Sequence, residues 1–143
     1  AGAMRRPLAS VAGALAATAP AAATPVALGA TATPVTITMG KGAMFQTSVS
    51  PASAPAGRIA FTLVNRGDML HEAVIIRPAT RFDRLPVKNS VASEKGRVGA
   101  ITNVAGGTRK KLTLTLPAGR YVIICNLPGH YQAGMRAPFT VRR

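Results

Sequence analysis

The chain has 143 residues, of which 48% are hydrophobic, and this length supports one domain with an ordinary core plus a tail. Eighteen Lys and Arg against four Asp and Glu give a formal net charge of +14, which favours an anionic partner or surface. The single cysteine excludes an internal disulfide framework. Aromatic residues at 4% leave no evident base-stacking platform, so we do not expect nucleic acid as a partner.

Residues 1–34 are predicted to combine a signal-like segment with a linker. Met4-Arg5-Arg6, the apolar stretch Leu8–Ala17 and small residues after it resemble the successive regions of a secretory signal. This pattern predicts a periplasmic or extracytoplasmic location, with the N-terminus either cleaved or retained as a membrane anchor. The alternative is an Ala-rich tail that carries no targeting information.

The linker from Thr18 to Pro34 consists mainly of Ala, Thr and Pro. Such a segment buries too little apolar surface to offset the entropy lost on ordering, so we expect a disordered N-terminal tail. The folded domain is therefore predicted to span residues 35–143.

Beyond this point the hydrophobic pattern has the period of β-strands. Apolar and polar residues alternate through Val35–Met39 and Ile59–Leu63, and turn-forming residues separate the apolar segments. No long segment has helical periodicity, so we predict an all-β fold, a Greek-key β-sandwich. The further predicted strands are Glu72–Arg77, Leu112–Leu116, Tyr121–Cys125 and Ala137–Val141.

Residues 78–99 do not fit this pattern. They carry several Arg and Lys among scattered apolar residues, and a connection of this length usually contains a short helix or an excursion outside the sheets. We expect this segment to be exposed and comparatively mobile.

A group of metal-ligand residues lies near the C-terminus. Cys125 begins the segment Cys-Asn-Leu-Pro-Gly-His130-Tyr-Gln-Ala-Gly-Met135, in which a thiol, an imidazole and a thioether recur every five residues. The other histidine is His71. Together these donors match a mononuclear copper site with a weak axial Met. Zinc would accept the thiolate and imidazoles but would leave the Met without a purpose.

Each of these residues alone has a simpler explanation. A lone Cys or Met is usually part of the core, and a single His is usually a hydrogen-bonded loop residue. Their conjunction on one short loop between two predicted strands favours the copper site.

Two segments carry a resemblance to a known family. Tyr121–Met135 resembles the C-terminal copper loop of the cupredoxins, the group that includes plastocyanin and azurin, and Asn65–His71 resembles their upstream ligand segment. The spacing within the loop is most similar to that of rusticyanin, sulfocyanin and auracyanin. The resemblance covers about residues 35–141 and implies a small electron carrier with one type 1 copper ion.

The resemblance also implies the role of each ligand. His71 and His130 would bind copper through Nδ1, Cys125 through its thiolate, and Met135 as the long axial ligand. Glu72 departs from the pattern, because several cupredoxins place Asn or Ser there, with a side chain that ties the ligand loops together. Leu70, Leu127, Pro128 and Ala133 would form an apolar docking patch around His130, although they could instead simply close the end of the sandwich.

We weigh three classes of function. The favoured one is shuttling of single electrons between redox partner proteins with acidic surfaces, or beside an anionic membrane surface, by a monomer. The alternative is a copper-binding or copper-delivery protein, for which Met39, Met44 and Met69 offer further thioethers. We do not expect an enzyme, because both histidines are already assigned and no second catalytic copper site can be built.

Overall fold

The structure, a computed structural model, describes Gly2, Gly13 and residues 31–143, and its strands follow the two-residue period of the sequence. The predicted signal and most of the linker lie outside the described residues. Within the described part no helix is long and apolar enough to cross a membrane. The strands are β1 Thr33–Met39, β2 Thr47–Ser50, β3 Ser53–Pro55, β4 Gly57–Asn65, β5 His71–Ile76, β6 Val87–Lys88, β7 Val91–Ala92, β8 Arg97–Val104, β9 Arg109–Leu116, β10 Gly119–Ile124 and β11 Arg136–Arg142.

Two sheets form the sandwich. One has the strand order β2-β1-β4-β9 and the other β3-β11-β10-β5-β8, while β6 and β7 form a separate hairpin. The pairs β1–β4 and β3–β11 are parallel, and the other pairs are antiparallel. The chain passes from one sheet to the other between β2 and β3, β3 and β4, β4 and β5, β8 and β9, and β9 and β10. These crossings confirm the predicted β-sandwich.

Two hydrophobic clusters pack on the five-stranded sheet. The larger lies between the sheets and contains Tyr121 and Ile123, while the smaller lies on the outer face and contains Val122 and Ile124. Strand β10 is therefore buried on both faces, which explains why its apolar residues run without interruption instead of alternating with polar ones.

The connection from β5 to β8, residues 77–96, covers this outer face. It contains no helix and includes the β6–β7 hairpin, so it is the predicted excursion outside the sheets. Most of its residues are exposed as expected, but Leu85 and Ala92 are buried in the smaller cluster. Hydrogen bonds described below also attach it to a loop at one end of the sandwich.

Candidate metal centre

The predicted ligands meet at one end of the sandwich because two antiparallel strands carry them there. His71 is the first residue of β5, and Cys125 directly follows the last residue of β10. The register pairs Val74 with Ile124, so the start of β5 lies beside the end of β10. The segment from Cys125 to Met135, which we name the ligand loop, then leads into β11.

Turns inside the ligand loop bring its two ends together. The N–H of Cys125 donates to the carbonyl of Met135 at 3.1 Å, and the N–H of Met135 donates to the carbonyl of His130 at 3.1 Å. Gly129 and Gly134 have positive φ angles of 81° and 113°, a conformation that side chains with a Cβ seldom adopt. The backbone therefore holds three predicted ligands close together.

The donor atoms have the spacing of a metal site. Cys125 Sγ lies 3.8 Å from His71 Nδ1 and 3.4 Å from His130 Nδ1, and the three ligand atoms lie within 4.8 Å of one another. An ion bonded to sulfur at about 2.3 Å and to nitrogen at about 2.0 Å would separate these atoms by roughly 3.5–3.7 Å at angles between tetrahedral and trigonal. One thiol, two imidazoles and a buried thioether therefore fit a copper ion.

Burial distinguishes the four residues. Cys125, His71 and Met135 are fully buried, and His130 is only partly exposed. The ring of Phe45 packs edge-on against His130, with 5.1 Å between the ring centroids. The imidazole of His130 is thus the part of the site that lies nearest to solvent.

The protonation states follow from this burial. Burial lowers the pKa of His71 and of His130, and the charge of His130 lowers that of His71 further. Burial raises the pKa of the Cys125 thiol, although the N–H groups of Leu127 and Glu72 partly oppose the rise. The metal-free site therefore holds two neutral imidazoles and a thiol, and a metal must displace the thiol proton.

Asn65, to which the sequence analysis gave no role of its own within the segment Asn65–His71, shapes the approach to His71. Its buried amide donates to the carbonyls of Met69 at 2.7 Å and Val104 at 2.8 Å, and it accepts from the N–H of Gly67 at 3.0 Å. These bonds fix the turn between β4 and β5 and so the start of β5, where His71 lies. A polar residue at the end of an alternating strand was the available signal.

Two glycines pack beside the ring of His71. A Cβ added to Gly40 would lie 2.8 Å from Gly67 Cα and 3.5 Å from His71 Nε2. Nε2 is buried and has no hydrogen-bond partner among the described residues. A side chain at position 40 would therefore clash with the Gly67 backbone and reach van der Waals distance of the His71 ring.

Glu72 and Asn126 connect the two ligand segments. The N–H of Glu72 points to Cys125 Sγ at 3.5 Å, and the N–H of Asn126 points to the Glu72 carboxylate. Burial raises the pKa of Glu72, the Glu94 carboxylate adds to the rise, and the Asn126 N–H opposes it. Although Glu72 stands where several cupredoxins have Asn or Ser, the two ligand segments are thus still joined.

The predicted docking residues lie near this end with different exposures. Leu70 is 43% exposed, Pro128 and Ala133 are exposed, and Leu127 is partly buried. Met44, which was not predicted to belong to this surface, is 59% exposed.

Comparison with known proteins assigns the family. Residues 33–142 match the model of the copper-binding proteins of the plastocyanin/azurin family. No curated protein matches the chain.

Solved cupredoxin structures share the fold. A reduced auracyanin from the photosynthetic bacterium Roseiflexus castenholzii is 22% identical, with a TM-score of 0.55 over 80% of this chain and 100% of that one. Rusticyanin from Thiobacillus ferrooxidans is 19% identical, with a TM-score of 0.57 over 76% of each chain. Auracyanin B is 22% identical, with a TM-score of 0.57 over 78% of this chain and 90% of that one. With most of its length matched to the family model, the chain belongs to the plastocyanin/azurin family of copper-binding proteins.

Proposed function

We propose that the protein is a small electron carrier that holds one type 1 copper ion and passes single electrons between redox partners. The observation that supports this most strongly is the convergence of His71, Cys125 and His130 on one buried point, with the ligand loop closed by Met135. In this assignment both histidines would bind copper through Nδ1, Cys125 would bind as a thiolate, and Met135 would supply the weakly bound thioether. Copper supplies a one-electron couple between Cu(II) and Cu(I).

The chain's own residues set the conditions for fast electron transfer. Buried Cys125, His71 and Met135 exclude water, and the two strands and the ligand loop fix their positions through backbone hydrogen bonds. Ligands held in place in this way would keep rearrangement small when a bound copper ion changes oxidation state, whether its geometry is imposed by the protein or is intrinsic to the copper–thiolate bond. The partly exposed His130, surrounded by apolar side chains, is the proposed path for electrons to and from partners.

The first test is to add Cu(II) to the purified metal-free protein and record visible absorption and electron paramagnetic resonance. We expect an intense thiolate-to-copper band and a narrow copper hyperfine splitting, with the band bleached by mild reductant and restored by oxidant. The matched variant Cys125→Ser should lack the band. A weak band with wide splitting in the wild type, or an intense band that persists in Cys125→Ser, would contradict the assignment.

One feature favours a second candidate, a copper-delivery protein. Met44 and Met69 line a surface pocket of about 400 Å³ that reaches His71, and thioethers are ligands suited to Cu(I). Met39, in contrast, is fully buried in the core. Retention of copper through repeated oxidation and reduction would support the carrier, whereas transfer to a weak Cu(I) chelator in each cycle would support delivery.

The charge of the chain supports an anionic partner. All four acidic residues lie in or beside the five-stranded sheet, and two of them, Asp68 and Glu72, flank His71. These acids are outweighed by the basic residues of the whole chain, whose net charge is +14, so we propose acidic redox proteins, or an anionic membrane surface, as the partners. The proposal includes a monomeric, non-enzymatic protein in the periplasm or another extracytoplasmic compartment, in line with the signal-like segment.

A further inference from the structure

We propose that residues 77–96, which we name the strap, position the copper ligands by holding the ligand loop in its metal-binding shape before the metal arrives. The strap contributes none of the ligands proposed above. Its contacts nevertheless fall on the loop residues that directly follow Cys125 and flank His130. The effect on copper rests on the proposed function, but the effect on the loop does not.

Asn126 forms the first attachment. Its side-chain Oδ1 accepts from the N–H of Ala92 at 2.8 Å, and its Nδ2 donates to the carbonyl of Ala92 at 3.0 Å and to Glu94 Oε1 at 2.9 Å. Asn126 is only 5% exposed. The amide thus pairs with the strap as a strand would, one residue after the thiolate ligand.

Gly129 and Tyr131 form attachments on both sides of His130. The N–H of Gly129 donates to the carbonyl of Ser90 at 2.8 Å. The hydroxyl of Tyr131 donates to the carbonyl of Phe82 at 2.8 Å and accepts from the N–H of Leu85 at 3.0 Å. The orientation of the His130 ring therefore depends on two neighbours that are bonded to the strap.

Apolar burial holds the strap itself in place. Leu85, Ala92 and Tyr131 belong to the cluster on the outer face of the five-stranded sheet, and Phe82 packs against it. Arg97 contacts Glu94 at 3.0 Å, which orients the carboxylate that receives the Asn126 amide. The strap is thus anchored to the same strands, β5 and β10, that carry His71 and Cys125.

Contacts behind the ligands matter because a site that is held in shape loses less entropy when it binds. Residues that orient metal ligands typically change metal affinity by about 10–100-fold when they are mutated. A ligand loop without such support has several conformations to lose on binding, and this loss weakens the complex. We therefore expect the strap to raise copper affinity and to fix the spectroscopic character of the site.

The test compares Tyr131→Phe with Tyr121→Phe. The two tyrosines are matched: each hydroxyl donates to a backbone carbonyl at 2.8 Å, and an Arg lies over each ring. Tyr121, however, lies near the start of β10, at the end of the sandwich opposite the ligands. Tyr121→Phe loses its one hydroxyl hydrogen bond, whereas Tyr131→Phe loses the bonds to Phe82 and Leu85, both of which hold the strap.

Amide hydrogen exchange of the metal-free variants gives a readout that needs no copper. We expect the Gly129 N–H to exchange about tenfold faster in Tyr131→Phe than in the wild type, as loss of roughly 1.4 kcal/mol of local stability predicts. It should be unchanged in Tyr121→Phe. Equal exchange in both variants would overturn the strap proposal even if copper binding proved to be of type 1.

Copper binding gives the second readout. We expect Tyr131→Phe to bind Cu(II) at least about tenfold more weakly in chelator competition and to show an altered copper hyperfine splitting, with Tyr121→Phe like the wild type. Asn126→Ala should show the larger loss, and Glu94→Gln, which keeps the acceptor for the Asn126 amide, should largely retain affinity. Unchanged affinity and spectrum in Tyr131→Phe would overturn the positioning role. A wild type without a type 1 spectrum would instead refute the proposed function and leave the exchange result to decide on the strap.

Discussion

The thioether of Met135 is the softest and most weakly held of the proposed ligands. It is fully buried at the closed end of the ligand loop. In Met135→Gln a harder oxygen replaces the sulfur and favours Cu(II), so we expect copper to be retained and the reduction potential to fall. Voltammetry measures this change. Met44→Gln is the matched control. Because Met44 is 59% exposed, the reduction potential of this variant should equal that of the wild type. A rise in potential for Met135→Gln would contradict the axial assignment.

The buried ligands also predict how the stability of the metal-free protein varies with pH. Burial lowers the pKa values of His71 and His130 from 6.5 and raises that of Cys125 from 9.0. As the pH falls below 6.5, the histidines of the unfolded chain become protonated before those of the folded protein. The free energy of unfolding therefore decreases, and the stability contributed by the neutral histidines is fully lost below their pKa values in the folded state. Above pH 9.0 the unfolded thiol ionises first, so stability falls again.

Urea unfolding of the metal-free protein at a series of pH values tests this expectation. Comparison with His130→Gln removes one imidazole and isolates its contribution. The difference in free energy of unfolding between wild type and variant should be constant from about pH 7 to 8. On acidification the wild type should lose stability relative to the variant. A difference that does not change with pH would show that His130 is not desolvated in the folded state.

Single residues were predictable where chemistry alone identifies them. A thiol, two imidazoles and a thioether are recognisable as copper ligands from residue type and spacing. Asn126 was not recognisable, because its partner Ala92 is 34 positions away and belongs to a segment without a regular pattern. The role of Asn65 was missed in part because one of its partners, Val104, is 39 positions away.

At the scale of elements, the close approach of the loops that contain Gly40 and Gly67 predicts how adding one methyl group changes stability. Gly40 and Gly107 have nearly equal φ angles of 78° and 75°, but an added Cβ would clash with the Gly67 backbone only at Gly40. We expect Gly107→Ala to cost about 1 kcal/mol from its conformation alone. Gly40→Ala should cost about 1–3 kcal/mol more from overpacking, and it should also weaken copper binding because the contact lies beside His71.

Chemical unfolding measures the stability of both glycine variants, and chelator competition measures their copper affinity. Equal losses of stability in the two variants would show that the Gly40–Gly67 contact relaxes freely and does not fix His71.

Strands with strong patterns were predicted, and those without were not. The predictions for β1, β4, β5, β9, β10 and β11 are confirmed to within a few residues because alternation or continuous burial marks them. Strands β2, β3, β6 and β7 are short, and β8 has a burial pattern without regular alternation and pairs with β5 through register shifts. Their formation depends on neighbouring strands rather than on local sequence.

At the scale of the whole molecule, charge is distributed unevenly. The four strands of the smaller sheet, β1, β2, β4 and β9, contain no Asp or Glu, whereas β9 begins with Arg109, Lys110 and Lys111. The strap adds Lys88, in the hairpin whose Ser90 carbonyl accepts from Gly129 of the ligand loop, together with Arg84 and Lys95. A small anion should therefore be attracted to the molecule, and more strongly to the end that carries the site.

Oxidation of the reduced copper protein by hexacyanoferrate(III), followed by stopped-flow absorption, tests this steering. We expect the rate constant to fall as ionic strength rises, and to be about twofold or more lower at low salt in Arg84→Gln/Lys88→Gln/Lys95→Gln. The control Arg120→Gln/Arg142→Gln/Arg143→Gln removes the same charge near the opposite end and should change the rate less. Identical rates for the two triple variants would show that only net charge matters.

Topology was predictable only in outline. Short strands divided by turns predict a β-sandwich, but parallel pairing of β1 with β4 joins segments separated by β2 and β3. Nothing in the local pattern of either strand specifies that neighbour. The second hydrophobic cluster follows from the strap, so it too depends on contacts between distant parts of the chain.

The burial of the sole cysteine has a practical consequence for orienting the protein on a surface. Because Cys125 is 0% exposed, a thiol introduced elsewhere would be the only one open to reagents. Ala56 is exposed and lies just before β4, at the end of the sandwich opposite His71. An Ala56→Cys variant can therefore be attached to gold through one defined atom, with the His130 end facing the solution.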